Sequence, residues 1–80
     1  MATSEEVKRA RLKAVQAEDE ATAWSELYNG HCTYIDDLEE RGIAVADSDY
    51  QTRNFLHHEA MTAYANARDA WREYNFLAGK

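Results

Sequence analysis

The apolar positions of this chain fall on two long stripes with helical spacing. The first runs Val7, Ala10, Ala14, Ala17, Ala21, Trp24, Tyr28, His31, Ile35, Leu38. Its steps alternate between three and four residues without a slip, the pattern that keeps one face of a helix against a partner helix. Thr3-Ser4-Glu5-Glu6 opens this helix with a hydroxyl cap and a glutamate three residues later, which together satisfy exposed N–H groups. Gly42 closes it, with Ile43 as the apolar residue that folds back on the last turn. The predicted span is about 4–41.

The second stripe is His57, Ala60, Tyr64, Ala67, Trp71 and Tyr74, flanked by Leu56, Ala63, Ala70 and Leu77. Asp47, Ser48 or Asp49 is the expected cap, Ser48 with Gln51 repeating the capping pattern. This helix is predicted over about 48–78, fraying at Gly79-Lys80. Residues 43–48 form the connection. Asn29-Gly30 is a turn-type dipeptide, and Thr33 with Asp36 offers a cap for a fresh start. The first stripe nevertheless keeps its phase across Gly30, so a continuous helix, bent or loosened there, is expected.

Two long helices joined by a short link lie antiparallel, giving an all-α two-helix hairpin as a single domain over residues 1–80. With the turn centred near residue 45, Trp24 falls opposite Ala63 and Ala67, and Tyr28 opposite Ala60 and Ala63. Trp71 falls opposite Ala17 and Ala21, and Tyr74 opposite Ala14 and Ala17. Large side chains thus meet small ones, as interdigitating layers require. Further apolar residues lie off the stripes: Leu12, Val15, Leu27, Cys32, Tyr34, Phe55, Met61 and Phe76. They exceed what one partner helix covers, so pairing into a homodimer or larger helical bundle is expected. A three-helix monomer, with residues 33–41 folded back, is the alternative.

Composition sharpens this reading. The chain has no proline and three glycines, which suits a few long helices and excludes turn-dense β architecture. Charged residues make up 30% and hydrophobic ones 45%, too apolar for a disordered polyampholyte. Cys32 is the single cysteine, so no internal disulfide forms, and a reducing, cytoplasmic setting is expected. No apolar run approaches the roughly 18 residues of a membrane span, so no membrane role is expected.

The net charge of −6 is unevenly spread. Between Ala14 and Thr52 the only basic residue is Arg41, among ten acids. Asp36, Asp37, Glu39, Glu40, Asp47 and Asp49 gather where the chain turns, which suggests a partner-binding end suited to a larger protein with a basic surface. Direct binding of nucleic acid is disfavoured at this charge. Lys8, Arg9, Arg11 and Lys13 form a positive cluster near the N-terminus. Lys8 and Arg11, joined in an oligomer by Arg68 and Arg72, are the candidate anion site. Tyr34, Tyr50, Phe55 and Phe76 are the candidate aromatic contacts.

Chemistry-bearing motifs are scarce. The chain holds no phosphate-binding glycine loop, nucleophile elbow or spaced cysteine pair. His31 and Cys32 with His57, His58 and Glu59 supply metal-ligand chemistry, but adjacent residues on a helix point about 100° apart, so each pair offers one ligand to a shared ion. No cofactor is expected, and exposed carboxylates on two packed helices make poor general acids, so catalysis is not expected. The expected function is that of a small acidic helical protein that binds and modulates or inhibits a larger one. Phages and mobile elements use such chains against nucleic-acid-handling or defence machinery, an analogy of size and charge only. The alternatives are an oligomer that sequesters an anionic, nucleotide-like ligand and a purely structural bundle subunit.

Overall fold

The structure, a computed structural model, describes residues 2–80. It consists of α1 (Ser4–Glu40) and α2 (Asp47–Leu77), antiparallel and without a strand among the described residues. The rod measures 60 × 16 × 15 Å, and its radius of gyration is 17.8 Å. A globular chain of this length would have a radius of gyration of about 12 Å. Two helices laid side by side have no third layer to curl around, so length is not converted into thickness.

Local sequence explains the helix ends. The Thr3 hydroxyl oxygen accepts from the Glu6 backbone N–H at 3.2 Å, and the same hydroxyl donates to the Glu6 carboxylate at 3.2 Å. At the other end Arg41 is the cap, and Gly42 takes φ +71°. The Gly42 N–H then donates to the Glu39 carbonyl at 3.0 Å and the Ile43 N–H to the Leu38 carbonyl at 2.9 Å. These are the paired bonds of a left-handed helix stop.

The α2 ends differ from expectation. Its cap is Ala46, with no side-chain hydrogen bond, and Asp47 and Asp49 lie inside the first turn. There their charges face the positive end of the helix dipole, which stabilises the turn without a hydroxyl or carboxylate cap. The Ser48–Gln51 capping pattern is not formed; the Ser48 carbonyl instead accepts the Thr52 hydroxyl at 2.9 Å. α2 ends at Leu77, with Ala78 as its cap. Gly79 at φ +73° and the bonds Gly79 N–H to Phe76 carbonyl (3.2 Å) and Lys80 N–H to Asn75 carbonyl (2.8 Å) repeat the stop seen at Gly42.

α1 runs unbroken through Gly30, so neither a break nor a fold-back of residues 33–41 occurs. A Cβ added at Gly30 meets nothing within 4 Å. Gly30→Ala is therefore expected to stabilise the hairpin by about 1 kcal/mol, because alanine loses less backbone freedom in a helix. Thermal unfolding checks this: a rise of about 4–8 °C is expected for a domain of this size, and a fall would mean that α1 needs to bend there.

The core is made of alanine. Among the described residues Ala10, Ala14, Ala21 and Ile35 of α1 and Ala60, Ala63, Ala67 and Ala70 of α2 are buried, and Ile35 is the only large side chain fully enclosed. Ala21, Ala63 and Ala67 form the central contact, with Ala17 and Trp24 packed against it. The register therefore places Trp24 on the alanines expected to receive it. On α2, however, the buried stripe is Ala60, Ala63, Ala67, Ala70. Tyr64 and His57, expected on the seam, lie exposed, and Trp71 sits half-buried at its edge. Between only two helices no space is wide enough for a ring. Methyl groups take the line of closest approach, and rings move to the flanks where one side meets solvent.

Candidate functional site

The turn end gathers the acids, as expected. Antiparallel packing sets the negative end of the α1 dipole beside the positive end of the α2 dipole, which offsets the cost of acids in the last turn of α1. Two of these acids are also held by partners. Asp37 pairs with Arg41 at 3.3 Å, and Glu39 accepts the Tyr50 hydroxyl at 3.0 Å. Asp36, Glu40 and Asp47 are exposed, and Asp49 is half-buried. Residues 23–66, the half of the rod nearer the turn, hold eight acids and two basic residues. The half containing both termini holds seven of each. All of the net charge thus resides in the turn half.

One flank of the hairpin carries a ladder with a seven-residue period. On α2 the rungs are Tyr50, His57, Tyr64 and Trp71; on α1 they are Glu39, Cys32, Ser25 and Glu18. The Tyr64 hydroxyl donates to Ser25 Oγ at 3.3 Å and Trp71 Nε1 to the Glu18 carboxylate at 2.7 Å. The His57 ring lies 5.1 Å from that of Tyr28, one turn before Cys32. The guanidinium of Arg53 lies 5.2 Å from the centre of the Tyr50 ring. These hydrogen bonds tie the edge-lying rings to α1 and fix the register that alanine methyls alone specify weakly.

Two phenols on this flank resist ionisation. The hydrogen bond to Glu39, followed by partial burial and the nearby negative charge, raises Tyr50 above its ordinary value. Cys32 raises Tyr28, first through a side-chain hydrogen bond and then through the negative charge of its thiolate form. A group with a raised folded-state pKa favours the fold below its unfolded value, about 10 for tyrosine, and that contribution disappears as pH rises through the folded value. Thermal stability is therefore expected to fall from about pH 10 upward, and Tyr50→Phe to blunt the fall. A fall of equal steepness in Tyr50→Phe would place the alkaline sensitivity elsewhere.

The opposite flank carries exposed apolar side chains. Phe55 meets Trp24 edge-on with ring centres 6.2 Å apart, and His31 lies 5.7 Å from Tyr34. Leu27, Tyr34 and Phe55 remain 57%, 50% and 55% exposed. Leu27 and Tyr34 are seven residues apart and so share a face, with His31 in the turn between them and Trp24 one turn before Leu27.

No known protein family, curated protein sequence or solved structure matches this chain. Its function has to be read from the geometry.

The remaining expected sites separate. Phe76 is the most exposed aromatic at 83% but lies at the far end, beside Ala2 and Glu6. Lys8 and Arg11 are exposed on the first turns of α1, and Arg68 and Arg72 are exposed on α2, where Arg68 pairs with Asp69 at 3.6 Å. The imidazole–thiol group also disperses. His31 Nε2 bonds the Asp49 carbonyl at 2.9 Å instead of facing Glu59, and His57 turns to Tyr28. Among the described residues no cluster of three or more His, Cys, Asp or Glu is arranged to hold a metal ion. No described helix is long and apolar enough to cross a membrane. Sequence reasoning missed Trp24, Leu27 and His31 as members of an exposed patch. The signal was present, since Glu20, Leu27, Tyr34 and Arg41 repeat every seven residues beside the stripe.

Proposed function

We propose that this chain is a non-catalytic binding protein whose acidic half docks on a basic surface of a larger protein and modulates or inhibits it. One observation carries the reading: the entire net charge of −6 lies in the turn half, on two helices that hold it rigid. Fixed charge of one sign attracts a complementary surface from a distance and speeds encounter. Carboxylates spaced along a rod also imitate the charge spacing of a nucleic-acid backbone, which fits an inhibitor of proteins that bind one.

Replacing Asp36, Asp37, Glu39 and Glu40 with Asn or Gln tests this. The intact chain is immobilised, a captured protein is identified and purified, and its kinetics are compared on parent and amide variant at two salt concentrations. The variant is expected to fold as stably as the parent while association slows at least tenfold and depends less on salt. An unchanged association rate and salt dependence would remove the acidic end from the mechanism.

A second reading, assembly with further copies into a bundle, rests on surface area. The chain exposes 5919 Å², whereas a compact protein of its mass exposes about 4,900 Å². The excess is close to the roughly 800 Å² that one partner contributes to a standard interface. Sedimentation equilibrium distinguishes the two readings: a 9.2 kDa species throughout the micromolar range rejects self-assembly.

A further inference from the structure

We infer that the face formed by Trp24, Leu27, Tyr34 and Phe55 is the docking surface, and that its occupant is a basic amphipathic helix of the partner protein, laid along the groove between α1 and α2 as a third helix. The inference rests on the proposed binding role and locates it on one flank of the rod.

Three observations single out this face. It holds three large apolar side chains that are half or more exposed, beside the half-buried ring of Trp24. The opposite flank, by contrast, has its Tyr50, Tyr64 and Trp71 polar atoms already bonded to Glu39, Ser25 and Glu18. Trp24, Leu27, His31 and Tyr34 stand at i, i+3, i+7 and i+10 along α1, so they line one continuous face on which the apolar stripe of another helix can lie.

Charge decides what covers the face. Glu20 lies seven residues before Leu27 and Glu59 four after Phe55, while Asp37, three after Tyr34, is paired with Arg41 at 3.3 Å, so two carboxylates and one ion pair border the apolar centre. The whole patch lies within the half that carries the net charge of −6. A two-fold pairing of two copies through this patch would bring two such halves together, and like charges across an interface are costly. A nucleic acid is repelled for the same reason. A helix with an apolar stripe flanked by lysine or arginine satisfies both the centre and the border.

The test uses the full-length chain with Trp71→Phe, which leaves Trp24 as the only tryptophan and places the reporter in the patch. The probe is a synthetic helix of roughly 18 residues, about 27 Å long at 1.5 Å per residue, with leucine at i, i+3, i+4 and i+7 and lysine elsewhere. A matched peptide with glutamate for lysine is the control. Addition of the lysine peptide is expected to shift Trp24 emission to the blue, with saturable binding that weakens as salt rises, while the glutamate peptide binds at least tenfold more weakly. Leu27→Gln, Tyr34→Gln and Phe55→Gln together, on exposed positions that leave the alanine core intact, are expected to reduce binding at least tenfold with unchanged helicity. Glu20→Gln, Asp37→Asn and Glu59→Gln together are expected to flatten the salt dependence.

Equal binding of both peptides overturns the charge assignment. No binding of either, or full binding by the apolar triple variant, overturns the face. If that triple variant binds the lysine peptide normally while the amide variant of Asp36, Asp37, Glu39 and Glu40 does not, the face is wrong and the acidic-end reading stands. A Trp24 blue shift on raising protein concentration alone, abolished by the apolar triple variant, assigns the face to a second copy instead.

Discussion

Ile35→Ala is expected to cost about 3 kcal/mol, within the range of roughly 2–5 kcal/mol for truncating a buried isoleucine. Ile35 is wholly enclosed, and among the described residues it is the only large side chain so placed in a core otherwise made of alanine. Truncation removes the hydrophobic transfer energy of three carbons and leaves a cavity between the helices near the turn. A small domain has roughly 0.05–0.15 kcal/mol of stability per residue, so this single change consumes a large part of the total. The melting temperature is expected to drop by more than about 10 °C. Leu12→Ala, on the exposed side of the same helix, is the control and is expected to change stability by no more than about 0.5 kcal/mol. A parent-like melt for Ile35→Ala would mean that the helices are not closed together near the turn.

Enlarging the seam is expected to be as damaging as emptying it. Ala21 lies against Ala63 and Ala67, with Ala17 and Trp24 around them. Alanine on both sides brings the helix axes toward the short end of the usual distance of about 8–10 Å. Ala21→Leu adds three carbons where neither backbone can withdraw without opening neighbouring contacts. A loss of about 1–3 kcal/mol is expected. The flank should report it too, because separation stretches the Tyr64–Ser25 and Trp71–Glu18 bonds, and tryptophan emission should move to the red. Ala23→Leu, at an exposed position of the same helix, is expected to have little effect. A stabilised Ala21→Leu would show that the seam holds unfilled space.

The sequence by itself determined the elements that depend on neighbours in the chain. Thr3 with Glu6, the left-handed stop at Gly42, and the unbroken three-four spacing through Gly30 each act over a single turn. Both helices and their antiparallel pairing therefore followed to within a residue or two at the ends. Concentration of acids at the turn was equally legible, because any short link between two long helices brings residues 36–40 and 47–49 together. The α2 cap was misplaced by a small margin, since Asp47 and Asp49 stabilise a first turn as readily from inside it as from its edge.

Only the tertiary structure decided which α2 stripe is buried. Hydrophobic mass favoured Tyr64 and Trp71, whereas a two-helix contact favours the residues that let backbones approach, and those are Ala60, Ala63, Ala67 and Ala70. That choice turns Tyr64 and Trp71 onto one flank, where they bond to Ser25 and Glu18, and brings Phe55 against Trp24 on the other. The dispersal of the imidazole–thiol group has the same origin. His31 reaches the Asp49 carbonyl, a contact set by where α2 begins and by its register along α1. Local patterning fixes which residues lie on each helix face. Which faces meet is a matter of size at the line of closest approach, and only the packed pair of helices resolves it.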